Sequence, residues 1–125
     1  MPLSESLENY LEAIYEIKKK RQIVRVRDVA KKLGVTMPSV NGAMKSLEAK
    51  GFINHEKYEC IELSDKGVVQ ASKILSRHKM IYRFLNEILG VDQETAEQEA
   101  CKIEHDLSVE TLKKLSDYVE NNKTV

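Results

Sequence analysis

The sequence predicts a mainly α-helical protein of two domains, a basic one over residues 1–64 and a helical one over residues 65–125. Three observations support this prediction. Apolar residues recur at helical spacing in most segments of the chain. One stretch, residues 52–63, alternates apolar and polar residues near its end, as a β-hairpin does. Residues 1–83 carry 16 Lys and Arg against 10 Asp and Glu, whereas residues 84–125 carry 4 against 10, so the first part is expected to meet a polyanion.

The composition predicts a cytoplasmic protein with no membrane partner. Cys60 and Cys101 are too few for a disulfide framework and indicate a reducing compartment. No apolar run approaches the roughly 20 residues of a membrane-spanning helix. The N-terminus lacks the basic segment and apolar stretch of a secretory signal.

The first predicted helix covers residues 4–20. Its buried stripe comprises Leu7, Tyr10, Leu11, Ile14 and Ile17. Asn9 and Glu12 fall on the other side, three residues apart, so that their side chains can reach a common point. The alternative is that this acidic side is a solvated surface.

The second and third predicted helices form a helix-turn-helix pattern. The second covers residues 26–33, and Gly34 can take the left-handed conformation of a tight turn. Thr36 caps the third helix, Pro38 is tolerated in its first turn, and Gly51 closes it. Small or polar residues face outward, namely Ser39, Asn41, Gly42, Lys45 and Ser46. Such a face allows close approach to the major groove and hydrogen bonds to base edges. An ordinary helical hairpin is the alternative.

The hairpin over residues 52–63 completes a winged helix-turn-helix domain, with Lys57 at the tip of the wing. Basic residues around the second helix, among them Arg25 and Arg27, are expected to contact phosphates. The predicted interface with double-stranded DNA comprises Arg25, Arg27, Thr36, Pro38, Ser39, Asn41, Gly42, Lys45 and Lys57.

The C-terminal domain is predicted to contain three helices and to form a homodimer. Ser64 caps a long fourth helix over about residues 65–89, Asp92 caps a fifth, and Ser108 caps a sixth. The fifth and sixth helices carry more apolar surface than their size requires. A two-fold dimer interface would bury this excess.

One run of the fifth helix, residues 97–105, carries the strongest chemical signal. If this run is helical, Cys101, Glu104 and His105 lie on one face. A thiolate, a carboxylate and an imidazole together can bind a transition metal. The alternative is that Cys101 is a small buried hydrophobe while Glu104 and His105 are solvated.

Four motifs in order resemble the family of the diphtheria toxin repressor and the manganese transport regulators. They are residues 8–15, residues 27–53 with their helix-turn-helix pattern, the pair Arg77-His78, and residues 101–108. The resemblance implies an N-terminal winged-helix DNA-binding domain, a helical dimerisation domain, and metals bound between them. The length matches the short, manganese-regulator architecture without an SH3-like third domain.

The resemblance also implies a ligand set. His78, Glu104 and His105 match ligands shared across the family, and Glu12 matches a carboxylate ligand of the manganese-type members. Cys101 stands where iron-sensing members have Cys and manganese-sensing members have Glu. The implied metal ligands are Asn9, Glu12, His78, Cys101, Glu104 and His105.

Three positions depart from the family pattern and make the ligand set a hybrid. Asn9 falls where the family has Asp or Met. Tyr82 falls where iron-type members have an ancillary carboxylate, and Glu97 falls where they have His. Thiolate, imidazole and carboxylate ligands together suit Fe(II), Co(II), Ni(II) or Zn(II) better than Mn(II), which prefers hard ligands. Fe(II) is the expected ion, with Mn(II) next, because availability in the cell can decide instead of ligand affinity.

The resulting hypothesis is a metal-dependent transcriptional repressor. The bound metal orders a homodimer so that two recognition helices, about 34 Å apart, meet a palindromic operator of metal-homeostasis genes. One alternative is a winged-helix regulator that does not respond to metal and is either constitutive or redox-sensing through Cys101. A small metalloenzyme is another alternative, which the lack of a glycine-rich or catalytic loop disfavours.

Overall fold

A computed structural model describes residues 3–55 and 60–121 and confirms the mainly helical fold. The elements in chain order are α1 (Glu5–Lys20), β1 (Val24–Arg25), α2 (Val26–Leu33), α3 (Met37–Ala49), β2 (Ile53–His55), β3 (Cys60–Leu63), α4 (Asp65–Arg83), a π-helical segment (Phe84–Ile88), α5 (Gln93–Ile103) and α6 (Val109–Asn121). The chain divides into two compact units, Met1–Lys73 and Ile74–Val125. The proposed boundary after residue 64 falls where α4 begins and stays a prediction.

The first unit is a three-helix core closed by a small sheet. The turn between α2 and α3 is made by Gly34 at φ 67°, a conformation that favours glycine. Thr36 caps α3 as predicted, because its Oγ1 accepts a hydrogen bond from the N–H of Ser39 at 3.2 Å. The largest fully buried side chains here are Leu11, Ile14, Val24, Val26, Val29, Val40, Met44, Leu47 and Ile53.

The sheet has the strand order β1-β3-β2, and both pairings are antiparallel. Strands β2 and β3 confirm the predicted hairpin, with Ile53 opposite Leu63. Its predicted tip, including Lys57, lies outside the described residues. The sequence analysis did not predict β1, whose two residues are too short to show alternation; its Val24 lies opposite Ile61.

Ser64 and Gly67 fix the start of α4 against the hairpin. The hydroxyl of Ser64 accepts a hydrogen bond from the N–H of Gly67 at 3.0 Å and donates one to the carbonyl of Gly51 at 2.6 Å. A Cβ at Gly67 would lie 2.0 Å from the carbonyl oxygen of Phe52. Glycine is therefore required there, because any side chain would push α4 away from the strand that follows Phe52.

The second unit is built around four buried residues, Ile81, Leu85, Ala96 and Ala100. The predicted fourth helix is confirmed through Ile88, although its last turn, residues 84–88, is a wider π-helical turn. Asp92 and Ser108 cap α5 and α6 as predicted, accepting from the N–H groups of Thr95 and Thr111 at 3.0 and 3.1 Å. Val109 and Tyr118 leave much of their apolar surface exposed on α6.

Within residues 3–55 and 60–121, no helix has the length and apolar character needed to cross a bilayer.

Candidate functional site

The end of α5 turns two polar side chains into the second unit. The prediction of helix through His105 is wrong for its last two residues, because α5 ends at Ile103. The N–H of Glu104 still bonds to the carbonyl of Ala100 at 3.1 Å, and the N–H of Asp106 then turns back to Ile103 at 3.0 Å. Glu104 keeps helical backbone angles, φ −55° and ψ −27°, so helical spacing still sets its direction, and the chain leaves the helical path after it.

The burial of the side chains at this turn is the opposite of what the alternative interpretation predicts. The side chains of Glu104 and His105 are 0% and 1% exposed, whereas Cys101 is exposed. The interpretation of Cys101 as a buried hydrophobe beside two solvated side chains is therefore wrong. A carboxylate without solvent must be satisfied by protein groups or a cation, because burying an unpaired charge is costly.

Two histidines lie beside this carboxylate. Nδ1 of His78, on α4, lies 3.0 Å from Oε2 of Glu104. Nε2 of His105 lies 3.1 Å from Oε1 of Glu104. That second contact lacks the alignment of a hydrogen bond, and within the described ranges no hydrogen bond is donated to this buried oxygen. Glu104 thus lies between two imidazoles and keeps one acceptor atom unused.

The other ring nitrogen of His78 faces a second carboxylate. Its Nε2 lies 2.7 Å from Oε1 of Glu97. The hydrogen bond with Glu104, opposed by partial burial and reinforced by Glu97, raises the pKa of His78 from 6.5 to about 9. At neutral pH His78 is therefore a cation that donates one hydrogen bond to each carboxylate.

The donor chemistry of this cluster fits a divalent transition metal. Two imidazoles and a carboxylate are ligands for such ions, and Oε1 of Glu104 is a buried acceptor without a hydrogen bond. In the described part of the chain, however, no three such side chains are already gathered in a metal-binding arrangement. Both ring nitrogens of His78 are engaged by carboxylates.

The remaining predicted ligands lie on α5 and on α1. Cys101 lies in the last turn of α5, two residues before its end. Asn9 and Glu12 belong to the first unit, where both are half-buried on α1. Their membership of the ligand set stays a prediction. Sequence reasoning did not assign Glu97 a role at His78, although Glu97 and Glu104 are two helical turns apart, which was the available signal.

The predicted nucleic-acid face lies on α3. The buried side of this helix consists of Val40, Ala43, Met44 and Leu47. The predicted contact residues of α3 and its cap are all exposed, namely Thr36, Pro38, Ser39, Asn41, Gly42 and Lys45. A Cβ built on Gly42 meets no atom within 4 Å. The protein itself therefore does not require glycine there, which leaves an external partner as a reason for it.

The two arginines predicted to contact phosphates lie around the start of α2. Arg27 is exposed, whereas Arg25 is half-buried and its N–H bonds to Oδ2 of Asp28 at 3.1 Å. An exposed polar helix beside basic residues and a β-hairpin is the arrangement of a winged-helix DNA-binding protein.

Comparison with models of protein families shows to which family of winged-helix proteins the chain belongs. A model described as iron-dependent repressor, N-terminal DNA-binding domain, matches residues 2–61. A second, described as iron-dependent repressor, metal-binding and dimerisation domain, matches residues 64–124. The chain belongs to the iron-dependent repressor family, which confirms the resemblance inferred from the sequence.

Individual relatives agree with this membership. An HTH-type transcriptional regulator of Methanocaldococcus jannaschii is 43% identical over 97% of this chain and 98% of its own length. The HTH-type transcriptional regulator MntR of Bacillus subtilis is 32% identical over 92% of this chain and 80% of its own. The crystal structure of the metal-dependent transcriptional regulator MtsR superposes with a TM-score of 0.84 at 30% identity over 91% of this chain. This chain spans 53% of that longer protein.

Proposed function

We propose that this protein is a metal-dependent transcriptional repressor whose metal centre is built on His78, Glu104 and His105. The observation that carries the proposal is the fully buried Glu104 carboxylate between two imidazoles. His78, Glu104 and His105 would hold a divalent metal, which when bound would supply positive charge beside this buried carboxylate. The protein acts on DNA and not as an enzyme, and a cytoplasmic location follows from that partner.

In this proposal the chain's own residues control the response to metal. His78 must release Nδ1 from Glu104 before that nitrogen can become a ligand, and Glu104 then turns its charge toward the ion. Cys101, Asn9 and Glu12 complete the proposed ligand set. The metal-bound form is the one competent to bind a palindromic operator as a homodimer, so metal raises DNA affinity by increasing the population of that form.

Fe(II) is the proposed physiological metal, with Mn(II) next, because the set contains a thiol beside imidazoles and carboxylates. A Co(II) titration of the metal-free, reduced protein tests this choice. We expect a near-ultraviolet sulfur-to-cobalt absorption band that disappears in Cys101→Ala and persists in the matched control Cys60→Ala. Cobalt binding without the band would remove Cys101 from the ligand set and favour Mn(II).

DNA binding in the presence of a chelator tests the metal dependence itself. We expect a chelator to weaken binding to DNA carrying the operator and added metal to restore it. Failure of the protein to bind any metal, or unchanged DNA binding with chelator, would instead identify a winged-helix regulator that does not sense metal. Oxidation that changed DNA binding only while Cys101 was present would then indicate the redox-sensing alternative.

Substitutions at Gly42 test the stability of α3 and its proposed contact with DNA separately. Because a Cβ meets nothing there, Gly42→Ala is expected to raise the free energy of unfolding by about 1 kcal/mol, the usual helix preference of alanine over glycine. Gly42→Leu is expected to fold equally well and to weaken DNA binding roughly 10-fold or more, because its side chain fills space needed for the groove. Thermal unfolding and a gel-shift titration measure the two effects. Unchanged DNA affinity in Gly42→Leu would remove this face of α3 from the interface.

A further inference from the structure

Glu97 contacts the outer edge of His78. Its Oε1 lies 2.7 Å from Nε2 of His78, a short distance for a charge-assisted hydrogen bond. The Glu97 side chain is 61% exposed, whereas the His78 side chain is only 13% exposed. The imidazole therefore spans from an exposed carboxylate on one edge to the buried carboxylate of Glu104 on the other.

The two nitrogens of the His78 ring face different surroundings and can therefore have different roles. Nδ1 faces Glu104, the centre of the proposed metal site, at 3.0 Å. Nε2 faces away from it, toward Glu97. A histidine that binds a metal through one nitrogen commonly donates the N–H of the other to a carboxylate, and this partner fixes both the tautomer and the ring orientation.

We propose that Glu97 is a positioning residue for the metal centre, which holds the Nε2–H of His78 so that the Nδ1 lone pair is directed at the metal. This inference rests on the proposed function, because it assigns Nδ1 of His78 to the metal. Glu97 itself is not a ligand of that ion, since the imidazole ring lies between its carboxylate and Glu104.

The packing of α5 does not depend on the contact between Glu97 and His78. Ala96 and Ala100, on either side of Glu97 along the helix, are fully buried against Ile81 and Leu85. These apolar contacts hold α5 in place whether or not residue 97 bears a carboxylate. A partly exposed ion pair adds little stability, so removing Glu97 is expected to leave the fold intact.

Metal affinity in three variants tests the positioning role. Glu97→Ala removes the acceptor, whereas Glu97→Gln keeps an oxygen that can accept from Nε2–H. Glu99→Ala removes a carboxylate from an exposed position of the same helix and serves as the matched control. We expect Glu97→Ala to weaken Co(II) binding roughly 10- to 100-fold, the usual effect of losing such a partner. Glu97→Gln is expected to recover most of this loss, and Glu99→Ala to behave as wild type.

The nitrogen resonances of His78 in the Zn(II)-loaded protein give an independent measurement. In the wild type and Glu97→Gln, Nδ1 is expected to show the shift of a metal-bound nitrogen while Nε2 retains a slowly exchanging proton. In Glu97→Ala that proton is expected to exchange rapidly.

Three results would overturn the inference. Wild-type affinity and wild-type nitrogen resonances in Glu97→Ala would show that Glu97 does not position the ring. A lower number of bound ions in both Glu97 variants would make Glu97 a ligand of a second metal. Metal bound at Nε2 would reverse the assignment of the two nitrogens. Failure of the proposed function is distinguishable, because metal affinity would then be unaffected by His105→Ala as well.

Discussion

Replacing Glu104 by Gln is expected to abolish metal-dependent DNA binding while the metal-free protein remains folded. Glutamine has nearly the shape of glutamate, so it fills the same fully buried space. It lacks the charge that compensates a divalent ion and offers a single weak oxygen ligand. Replacing a residue that only supports a metal ligand lowers metal affinity roughly 10- to 100-fold. Loss of this central carboxylate should therefore lower metal affinity by more than roughly 100-fold.

Calorimetric metal titration and gel-shift assays with and without metal measure this effect. Glu99→Gln is the matched control, because it makes the same chemical change at an exposed position of α5. Glu104→Ala should be the more damaging variant, since it removes the buried partner of His78 as well; losing one partner of a buried pair costs about 3–5 kcal/mol. Retention of metal-dependent DNA binding by Glu104→Gln would place the metal centre elsewhere.

The stability of the metal-free protein is expected to fall as the pH rises from 6.5 to above 9. The pKa of His78 is about 9 in the folded state against 6.5 as its ordinary value. A raised pKa means that the folded state holds the proton more tightly, so this stabilisation is fully present below pH 6.5 and is lost as the pH passes 9. A shift of this size corresponds to at most about 3–4 kcal/mol.

Urea unfolding at pH 6 and at pH 9.5, with a chelator present, measures the difference. His78→Gln should remove most of it, because glutamine does not titrate, and the remaining dependence reports the other groups. Saturating metal should oppose the trend, since metal and proton compete for the same ring nitrogen and metal binding tightens as the pH rises. A free energy of unfolding equally dependent on pH in wild type and His78→Gln would exclude His78 as the responsible group.

Local chemistry made much of the fold predictable. Thr36, Ser64, Asp92 and Ser108 each accept a hydrogen bond from an N–H three residues later, and each was identifiable because a side-chain oxygen precedes an apolar helical pattern. The glycine turn between α2 and α3 was predictable for the same reason. These features depend on a few consecutive residues and hardly on the rest of the molecule.

The side chains of the proposed metal centre could be named from the sequence, but the geometry of the cluster formed by His78, Glu104 and His105 could not. Helical spacing placed Cys101 beside Glu104 and His105, but the chain turns after Ile103 and buries only the last two. The contact between Glu97 and His78 joins residues 19 positions apart, so no local pattern contains it. The π-helical segment after Arg83 likewise depends on tertiary packing, because its wider turn lets Leu85 accept from Val91.

The protonated His78 between Glu97 and Glu104 acts as a surrogate cation. Many small metalloproteins unfold without their ion, because the ligands repel one another or remain unsatisfied. Here a proton on His78 already neutralises part of the acidic cluster. In the proposed metal centre, an incoming ion would replace a charge that the folded chain already carries. The protein can therefore be synthesised, folded and stored in metal-poor conditions. Its response to metal becomes an equilibrium between two folded forms, which is reversible and does not require new synthesis each time the metal supply changes.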